Sequence, residues 1–566
     1  MKTKHSGRFW PVLETPFEKE FNRDQPFGTY PRQQMKRDSY LCLNGRWDLL
    51  LNGEPLGKVT VPYPPESRLS GIGRSFKKTD ILTYRRSFTL PSGFRKERVL
   101  LHFGAVDQYA EVFLNGQSAG KNAGGYLPFT LDITDLLIPG QNRLEVEVTD
   151  PLDPDMPYGK QRVKRGGMWY TPISGIWQTV WMESVPQNYI EDIRITPSLD
   201  RVKVEVTGGE GEKVLIFKQK GYRFTDSLEL KIEDPHLWSP EDPYLYRFTV
   251  VSGEDQITSY FALRTIEVQG ERLLLNGKPY FFHGLLDQGY FSDGIYLPAT
   301  EEGFENDILQ MKACGFNMLR KHIKLEPDLF YFYCDKYGMI VFQDLINSGR
   351  YSFLRDTAIP TVLTKKWRTR RASKRREAEF YRHAEGILRQ LYSHPSVCYY
   401  TIFNEGWGQF EADRVYQDIK AMDPTRIYDT TSGWFKETAS DVESEHIYFK
   451  PIRIKPAGRP VVLSEFGGYS CRVKDHTFNP KRNSGYHFFT EDPKEFEQEL
   501  IALYDREILP AAENGLCAAV LTQVSDVEDE TNGLLTYDRA VLKVDSGAMQ
   551  ELAERLKNSF QKSIDK

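Results

Sequence analysis

The sequence predicts three domains in order: a jelly-roll β-sandwich, an immunoglobulin-like β-sandwich and a C-terminal (β/α)8 TIM barrel. The chain has 566 residues, which is long enough for several domains. Its first half consists of short apolar runs separated by turn residues, as in β-sandwiches. Its second half alternates strand-like runs with helical stretches, which indicates a parallel sheet covered by helices.

Residues 1–188 are predicted to form the jelly roll. Runs rich in Val, Leu, Phe and Tyr alternate with turn signals, as in RVLLHFGAVDQYAEVFLNGQ from Arg98. Asn-Gly pairs begin at Asn44, Asn52 and Asn115, and each predicts a hairpin because both residue types adopt positive φ at low cost. Many short strands at this spacing favour a jelly roll.

Residues 189–266 are predicted to form the second sandwich, because five strand-like runs in this segment suffice for an immunoglobulin-like fold. From residue 267 to residue 566, eight strand-like runs alternate with helical stretches, as in a TIM barrel. The predicted barrel strands are Tyr280–Gly284, Phe316–His322, Met339–Asp344, Val397–Glu405, Ile427–Ser432, Glu445–Phe449, Val461–Phe466 and Ala518–Val524. Predicted helices include Thr300–Cys314, Asp328–Tyr337, Lys374–Ser393, Asp413–Met422 and Asp492–Leu509.

Charge and composition argue against several classes of protein. The 74 Lys and Arg residues nearly balance the 79 Asp and Glu residues, so the net charge of −5 does not favour nucleic-acid binding. No apolar run approaches the roughly 18 residues that cross a bilayer, and Val397–Phe403 is only as long as a strand. Six scattered cysteines and the lack of an apolar leader predict a cytoplasmic protein with free thiols. The ten histidines show no metal-ligand spacing, so we expect no metal ion or other cofactor.

One basic segment points in another direction. From Lys365 to Arg376, eight of twelve residues are Lys or Arg, a composition also found in nucleic-acid and polyanion sites. The negative net charge favours a simpler interpretation, in which this run is the solvated start of a helix whose Arg side chains pair with nearby acids. A weaker hypothesis is that it reaches the site and selects an acidic aglycone or polysaccharide.

Two predicted barrel strands end in a glutamate. The fourth ends in Asn404-Glu405 and the seventh in Glu465, each before a glycine-containing loop. Reacting groups of barrel enzymes lie at the carboxyl ends of the strands, and a carboxylate there costs desolvation energy. Two such carboxylates facing one pocket can cleave a glycosidic bond, one as an acid and the other as a nucleophile or base. The alternative for each residue is a salt bridge that ties a strand to a loop.

With these two glutamates at its strand ends, the chain resembles glycoside hydrolase family 2, which contains β-galactosidases, β-glucuronidases and β-mannosidases. The likeness covers nearly the whole length and rests on motifs that follow one another in the family's order. They include LNGRWDL from Leu43, GMWYTPISGIWQTVWME from Gly167, LWSPEDPYLY from Leu237, LLLNGKPYFFHGL from Leu273, FNEGWG from Phe403 and SEFGG from Ser464.

The resemblance implies a role for four residues. Glu405 matches the family's acid/base, and Asn404 matches the asparagine that hydrogen-bonds the sugar 2-hydroxyl. Glu465 matches the nucleophile, and Tyr448 matches the tyrosine that donates a hydrogen bond to it. The reaction would then retain the anomeric configuration. The first domain would be a sugar-binding-like module.

Departures from the family concern the sugar. Family glucuronidases hold the sugar carboxylate with an Asn-x-Lys pair ahead of a glycine, and this chain has Glu530 and Asn532 in those places before Gly533. A glutamate there would repel a uronate, although a cation from another loop could compensate. We therefore expect a neutral sugar. Candidate substrate contacts near the strand ends are His322, Asp287, Trp434, Gln523 and Asp526, each with a loop-holding or packing role as the alternative.

The sequence thus predicts a retaining exo-β-glycosidase that acts on a carbohydrate substrate by double displacement, with a β-galactosidase as the first choice. Other family activities stay open, namely β-glucuronidase, β-mannosidase and pentosidase or furanosidase. A non-catalytic carbohydrate-binding protein is the second hypothesis, and a nucleic-acid-associated protein using the basic run is the third. No membrane partner is expected, and a homo-oligomer stays open.

Overall fold

The computed structural model describes residues 13–358, 371–435, 437–481 and 485–565, and the backbone of a hairpin formed by Thr3–His5 and Arg8–Trp10. It contains the two antiparallel sandwiches and the eight-stranded parallel barrel sheet that the sequence predicts. The exact domain boundaries at residues 188 and 266 stay a prediction.

A six-stranded and a four-stranded sheet share the core of the first sandwich, which includes Trp47, Phe103 and Val146. Burial in Gln141–Thr149 alternates residue by residue, as in a strand with one face in a core. In sheet order the strands are Gln117–Ala123, Tyr109–Leu114, Gln141–Thr149, Ile81–Thr89, Gly45–Leu51 and Glu54–Val61, then Phe129–Asp132, Arg98–Phe103, Val180–Val185 and Leu41–Cys42.

Two of the three predicted Asn-Gly hairpins are confirmed. Asn52 and Asn115 both have a φ of 52°, and each joins two paired antiparallel strands. The prediction for Asn44 was wrong. Its side-chain amide donates to the carbonyls of Pro26 and Phe27, and the strands on either side of it belong to different sheets.

The second sandwich has three strands in one sheet and four in the other, around a core that includes Val204, Phe248 and Ile257. Its strands in sheet order are Ile190–Pro197, Arg201–Gly208 and Ser227–Lys231, then Lys220–Phe224, Lys213–Phe217, Tyr246–Ser252 and Asp255–Phe261. Smaller sheets pair Val106–Asp107 with Gly175–Ile176, Ile266–Gln269 with Arg272–Leu275 and Lys278–Pro279, and Ser470–Cys471 with Phe489–Thr490.

The barrel strands lie where strand-like runs predict them, with ends shifted by up to three residues. They are β1 (Phe282–Asp287), β2 (Met318–Lys321), β3 (Ile340–Asp344), β4 (Val397–Phe403), β5 (Ile427–Thr431), β6 (Glu443–Ile447), β7 (Val461–Gly467) and β8 (Leu516–Thr522). They are hydrogen-bonded in the order 5-4-3-2-1-8-7-6, all parallel, so β1 pairs with both β2 and β8. All their carboxyl ends therefore meet at one rim.

Helices surround the barrel. They are α1 (Glu302–Ala313), α2 (Asp328–Tyr337), α3 (Lys374–Leu391), α4 (Ala412–Met422), α5 (Pro493–Leu503), α6 (Leu509–Glu513) and α7 (Ser546–Ile564). Shorter turns are the 3-10 helices Pro16–Glu20, Gln33–Met35, Thr134–Leu136 and Asn404–Gly406 and the π-helical segments Leu354–Ala358 and Tyr504–Ile508. Ser373, Asp492 and Asp545 cap α3, α5 and α7 through side-chain oxygens that accept backbone hydrogen bonds. Among the described residues, no helix is both long and apolar enough to span a bilayer.

Part of the basic run lies outside the described residues, namely 365–370. Its remaining residues run into the start of α3, where Arg375 pairs with Asp153 at 2.6 Å. Arg376 donates to the carbonyl of Gly408 at 2.7 Å. These contacts are those of a helix start with local partners.

A loop of the first sandwich, residues 156–171, lies on the carboxyl rim of the barrel; we call it the sandwich loop. The Tyr158 amide and hydroxyl donate to the carbonyls of Asn347 and Gly349 at 3.1 and 2.7 Å. Farther along, Arg165 pairs with Glu528 at 3.1 Å. At Gly159, with a φ of 69°, a Cβ would meet the Tyr126 hydroxyl at 2.4 Å and the Ile323 carbonyl at 3.1 Å, so the two domains touch through backbone. The first sandwich thus forms part of the wall above the barrel.

Candidate active site

Two carboxylates meet at the rim, one after β4 and one on β7. One oxygen of Glu405, one oxygen of Glu465 and a ring nitrogen of His446 lie within 4.8 Å of one another. The glutamate side chains retain 8% and 7% of their exposure, so both are largely desolvated yet not sealed from solvent. The sequence prediction that both carboxylates share one site therefore agrees with this geometry.

The backbone turns sharply to present Glu405. β4 ends at Phe403, and Glu405 adopts the left-handed conformation, with a φ of 48° and a ψ of 26°. This conformation is uncommon for a residue with a side chain and costs free energy. The Ser432 hydroxyl, just after β5, accepts a hydrogen bond from the Glu405 backbone N–H at 3.3 Å, and this bond helps to hold the turn.

His446 on β6 lies between the two carboxylates. Its Nδ1 is 3.0 Å from Glu405 Oε1 and 3.5 Å from Glu465 Oε2, and its Nε2 is 3.3 Å from Arg320 Nη1. A guanidinium only donates hydrogen bonds, so Nε2 must accept. In the neutral ring the proton is therefore on Nδ1, where it is donated to the carboxylates.

Arg320 on β2 connects the groups from below. Its guanidinium donates to Asp344 Oδ1 at 2.9 Å, to Glu465 Oε1 at 3.0 Å and to Asn404 Oδ1 at 2.8 Å. The side chain is 1% exposed, so these interactions act with little screening by water. A cation this close to Glu465 favours the ionised form of that carboxylate.

The two glutamates have pKa values displaced in opposite directions. Burial raises the pKa of the Glu405 carboxyl, the His446 hydrogen bond opposes this, and the negative charge of Glu465 adds to it. Burial also pushes the pKa of Glu465 upward, but His446 and then Arg320 outweigh it and hold that pKa below its ordinary value. Glu405 therefore holds a proton more strongly than Glu465 does, an order that suits an acid and a nucleophile.

Asn404 and Tyr448 lie where the family resemblance implies. Asn404 Oδ1 accepts from Arg320 and, at 3.0 Å, from the Ser432 hydroxyl, which leaves the amide NH2 to donate elsewhere. The Tyr448 hydroxyl donates to Glu465 Oε2 at 2.7 Å and lies 2.8 Å from Thr522 Oγ1. The tyrosine–glutamate hydrogen bond is therefore present, while the roles of both residues toward a sugar stay predictions.

Of the other predicted contacts, His322 and Trp434 border this group. His322 Nδ1 lies 2.7 Å from Asp344 Oδ2, and burial, then the charge of Lys160, lowers the pKa of His322 to about 4. The imidazole is therefore neutral near pH 7. Trp434 is half-buried and meets the His446 ring edge-on at 6.1 Å.

Asp287, Gln523 and Asp526 are engaged with neighbouring loop residues. Asp287 pairs with Lys321 at 2.7 Å, and Asp526 pairs with Lys543 at 2.6 Å. The Gln523 amide donates to Asn532 at 2.7 Å. These contacts support the loop-holding alternative for the three residues, and a direct contact with substrate stays a prediction.

Sequence reasoning missed His446 and gave no role to Arg320 or Asp344. Asp344 ends the buried run MIVFQD, so the rule that found the two glutamates would have found it as well. His446 gives no such signal, because the strand sequence ESEHI is not an apolar run.

A metal ion would find nitrogen and oxygen ligands at Glu405, His446 and Glu465, one ligand atom each. However, the Arg320 guanidinium already lies 3.0 Å from Glu465, and the His446 Nδ1 that faces the carboxylates carries the ring proton in the neutral form. This charge arrangement fits a proton-transfer site better than a cation site.

Three family models match the chain in order. They are the glycosyl hydrolase 2 galactose-binding-like domain over residues 75–176, the glycosyl hydrolases family 2 domain over 200–264, and the family 2 TIM barrel domain over 266–452. The β-galactosidase of Priestia megaterium is 25% identical over 466 residues, which cover 73% of this chain and 43% of that protein. The chain therefore spans less than half the length of this curated relative.

Solved structures share the fold. A β-glucuronidase from an uncultured Clostridium superposes with a TM-score of 0.73 at 19% identity and covers 93% of this chain and 99% of its own. A β-galacturonidase from Eisenbergiella tayi, bound to galacturonate, superposes with a TM-score of 0.68 at 19% identity. The superposition covers 94% of this chain and 99% of the galacturonidase chain. The three matched domains, in this order, show that the chain belongs to glycoside hydrolase family 2.

Proposed function

We propose that the protein hydrolyses β-glycosides with retention of configuration. The observation that carries this proposal is the pair of neighbouring carboxylates with opposite pKa displacements. Glu465 attacks the anomeric carbon and forms a glycosyl–enzyme bond, while Glu405 gives its proton to the departing oxygen. Glu405 then takes a proton from water, which attacks the anomeric carbon and releases the sugar and the free Glu465 carboxylate.

The separation of the two carboxylates supports retention. Retaining enzymes keep their carboxyl groups about 5–5.5 Å apart, whereas inverting enzymes leave about 6.5–9.5 Å for a water molecule. An oxygen of Glu405 lies within 4.8 Å of an oxygen of Glu465, and this close approach supports the shorter, retaining separation. Arg320 and Tyr448 support the nucleophile by donating hydrogen bonds to both of its oxygens.

For the sugar, we propose an exo-acting enzyme with the galactose configuration as first choice. The name of the Priestia relative supports a β-galactoside. The names of the solved structures, a β-glucuronidase and a β-galacturonidase, support a hexuronide as the second candidate. A non-catalytic sugar-binding protein is less well supported, because both carboxylates and their hydrogen-bond partners are in place.

A panel of nitrophenyl β-glycosides tests the reaction. We expect turnover of at least one β-hexopyranoside, and proton NMR of the early product should show the β-anomer before mutarotation. Early release of the α-anomer would contradict the retaining mechanism. Sugar binding without turnover across the whole panel would favour the non-catalytic alternative.

The pKa displacements predict the pH dependence of kcat/KM. Glu465 reacts only when ionised, so activity is gained as pH rises through its lowered pKa. Glu405 donates only when protonated, so activity is lost as pH rises through its raised pKa. We therefore expect a bell-shaped profile. The half-activity point on its acidic side should lie below about pH 4.5, the ordinary pKa of a glutamate, and the one on its alkaline side should lie above that pH. A profile with the alkaline limb unchanged in Glu405→Gln would contradict this assignment.

A further inference from the structure

The sandwich loop places a lysine among the groups of the barrel site. Lys160 is 7% exposed although it lies in a turn between strands. Its neighbours Tyr158 and Gly159 are fixed against the barrel, so the position of Lys160 is set by contacts between the two domains. Lys160 could not be predicted from the sequence, because the surrounding residues YGKQRV contain no pattern that indicates a site.

Within the part of the chain that the structure describes, the ammonium group of Lys160 has aromatic neighbours but no ionic partner. It lies 5.8 Å from the ring centres of both Tyr170 and Trp407. Among the described residues, no carboxylate or hydrogen-bond acceptor pairs with its Nζ. Aromatic faces compensate a cation less fully than an anion does, so a negatively charged ligand group beside this ammonium would be favoured.

Several contacts place Lys160 beside the catalytic groups. Trp407 follows Glu405 by two residues, and the Tyr170 hydroxyl donates to Glu530 in the loop after β8. Burial raises the pKa values of Glu405 and Glu530, and the positive charge of Lys160 opposes both shifts. The same charge adds to the effects of His446 and Arg320 that hold the pKa of Glu465 below its ordinary value. The ammonium therefore acts on the same space as the two catalytic carboxylates.

Each carboxylate near Lys160 has another partner. Glu405 accepts from His446, and Glu465 accepts from Arg320 and Tyr448. Glu530, which stands where an amide would help to hold a uronate, accepts from Tyr170 and at 3.5 Å from Gln523. Among the described residues, these three carboxylates are therefore satisfied by other donors, and none of them forms an ion pair with Lys160.

We propose that Lys160 binds an anionic substituent on the sugar ring, either a C6 carboxylate or a sulfate ester. The first sandwich would then supply the cation that the barrel loop after β8 does not. This inference rests on the proposed glycosidase reaction. It keeps the galactose configuration but replaces the neutral sugar expected from the sequence by an anionic one, since the corresponding neutral galactoside would leave the ammonium unpaired. The negative Glu530 opposes such a ligand, but its raised pKa reduces the ionised fraction.

The test compares three substrates that share one ring: nitrophenyl β-galactoside, nitrophenyl β-galacturonide and the 6-sulfated nitrophenyl β-galactoside. We expect the wild type to favour one of the two anionic substrates. Lys160→Met should lower its kcat/KM by about 100-fold, as when a buried charge partner is removed, and that of the neutral galactoside by less than about fivefold. Lys160→Arg should retain part of the preference, and which anion is favoured separates carboxylate from sulfate.

Lys164→Met is the matched control, because Lys164 is an exposed lysine of the same loop and its removal changes the net charge equally. It should leave all three rates within twofold. Equal losses on the neutral and anionic substrates in Lys160→Met, or a wild type that prefers the neutral galactoside, would overturn the inference.

A binding measurement separates this inference from the proposed reaction. If the wild type hydrolyses none of the three substrates, calorimetry with free galactose, galacturonate and galactose 6-sulfate tests the inference by itself. The proposed reaction fails only if the wider panel of nitrophenyl β-glycosides is not hydrolysed either. Preferential binding of an anionic sugar that Lys160→Met abolishes supports the inference. Equal binding of all three sugars, or a preference that survives in a folded Lys160→Met protein, overturns it.

Discussion

Replacing Glu465 by Gln is expected to lower kcat/KM on the preferred aryl β-glycoside by at least about 10⁴-fold. The amide is nearly the same size, and its oxygen can still accept from Arg320 while its NH2 donates to the Tyr448 hydroxyl. The fold should therefore persist. What is lost is the negatively charged oxygen that attacks the anomeric carbon. Steady-state kinetics alongside circular dichroism measure both properties.

Glu66→Gln is the matched control for this substitution. Glu66 is a buried glutamate of the first sandwich that pairs with Ser174, and burial raises its pKa to about 8. It is largely protonated at neutral pH, so its amide replacement should leave kcat/KM nearly unchanged. Similar losses in both variants would point to a general effect on folding rather than to a nucleophile.

A smaller replacement gives a product test of the same role. In Glu465→Ala, azide can occupy the vacated space and attack an activated β-glycoside from the nucleophile's side. The expected product is the α-glycosyl azide, since a single displacement inverts the anomeric centre. Formation of the β-azide would place the nucleophile elsewhere.

Replacing Glu405 by Gln should give a loss that depends on the leaving group. A glycoside with a poor leaving group needs the Glu405 proton, so we expect its kcat/KM to fall by about 10³-fold or more. A dinitrophenyl glycoside departs without that proton, so its first step should survive while hydrolysis of the glycosyl–enzyme slows. A burst of dinitrophenol, followed by slow turnover, is the measurement.

The control for this prediction is the configuration of the azide product, which should be opposite in the Glu405 and Glu465 variants. In Glu405→Ala, azide replaces water as the attacking group on the glycosyl–enzyme, and the expected product is the β-glycosyl azide. A loss of equal size on good and poor leaving groups, with no burst, would remove Glu405 from the acid/base role.

The barrel and its two glutamates could be predicted from the sequence because each depends on a local signal. Val397–Phe403 and Val461–Gly467 are fully buried, so a charge directly after or inside such a run stands out. His446 lies on a strand with polar residues and mixed burial, so no apolar run marks it. Lys160 could not be found, because its place depends on the sandwich loop crossing to the barrel.

The predicted substrate contacts also show that position along the sequence does not reveal a residue's partners. Asp287 and Asp526 lie near the carboxyl ends of predicted strands, as Glu405 and Glu465 do, yet each is paired with a nearby lysine. The partners Lys321 and Lys543 are plain in the sequence, but their pairing is a matter of tertiary contact. Strand-end position therefore locates charged residues at the rim without telling a reactive group from a bracing one.

The sandwich loop has a consequence for how selectivity can change in this protein. The proposed catalytic glutamates belong to the barrel, whereas Lys160, the proposed ligand of the substituent, belongs to the first sandwich. Substitutions in the first sandwich could then retune which glycosides are accepted while the chemistry in the barrel stays intact. Conversely, a graft of the barrel onto a foreign sandwich would keep the reaction and exchange the preference.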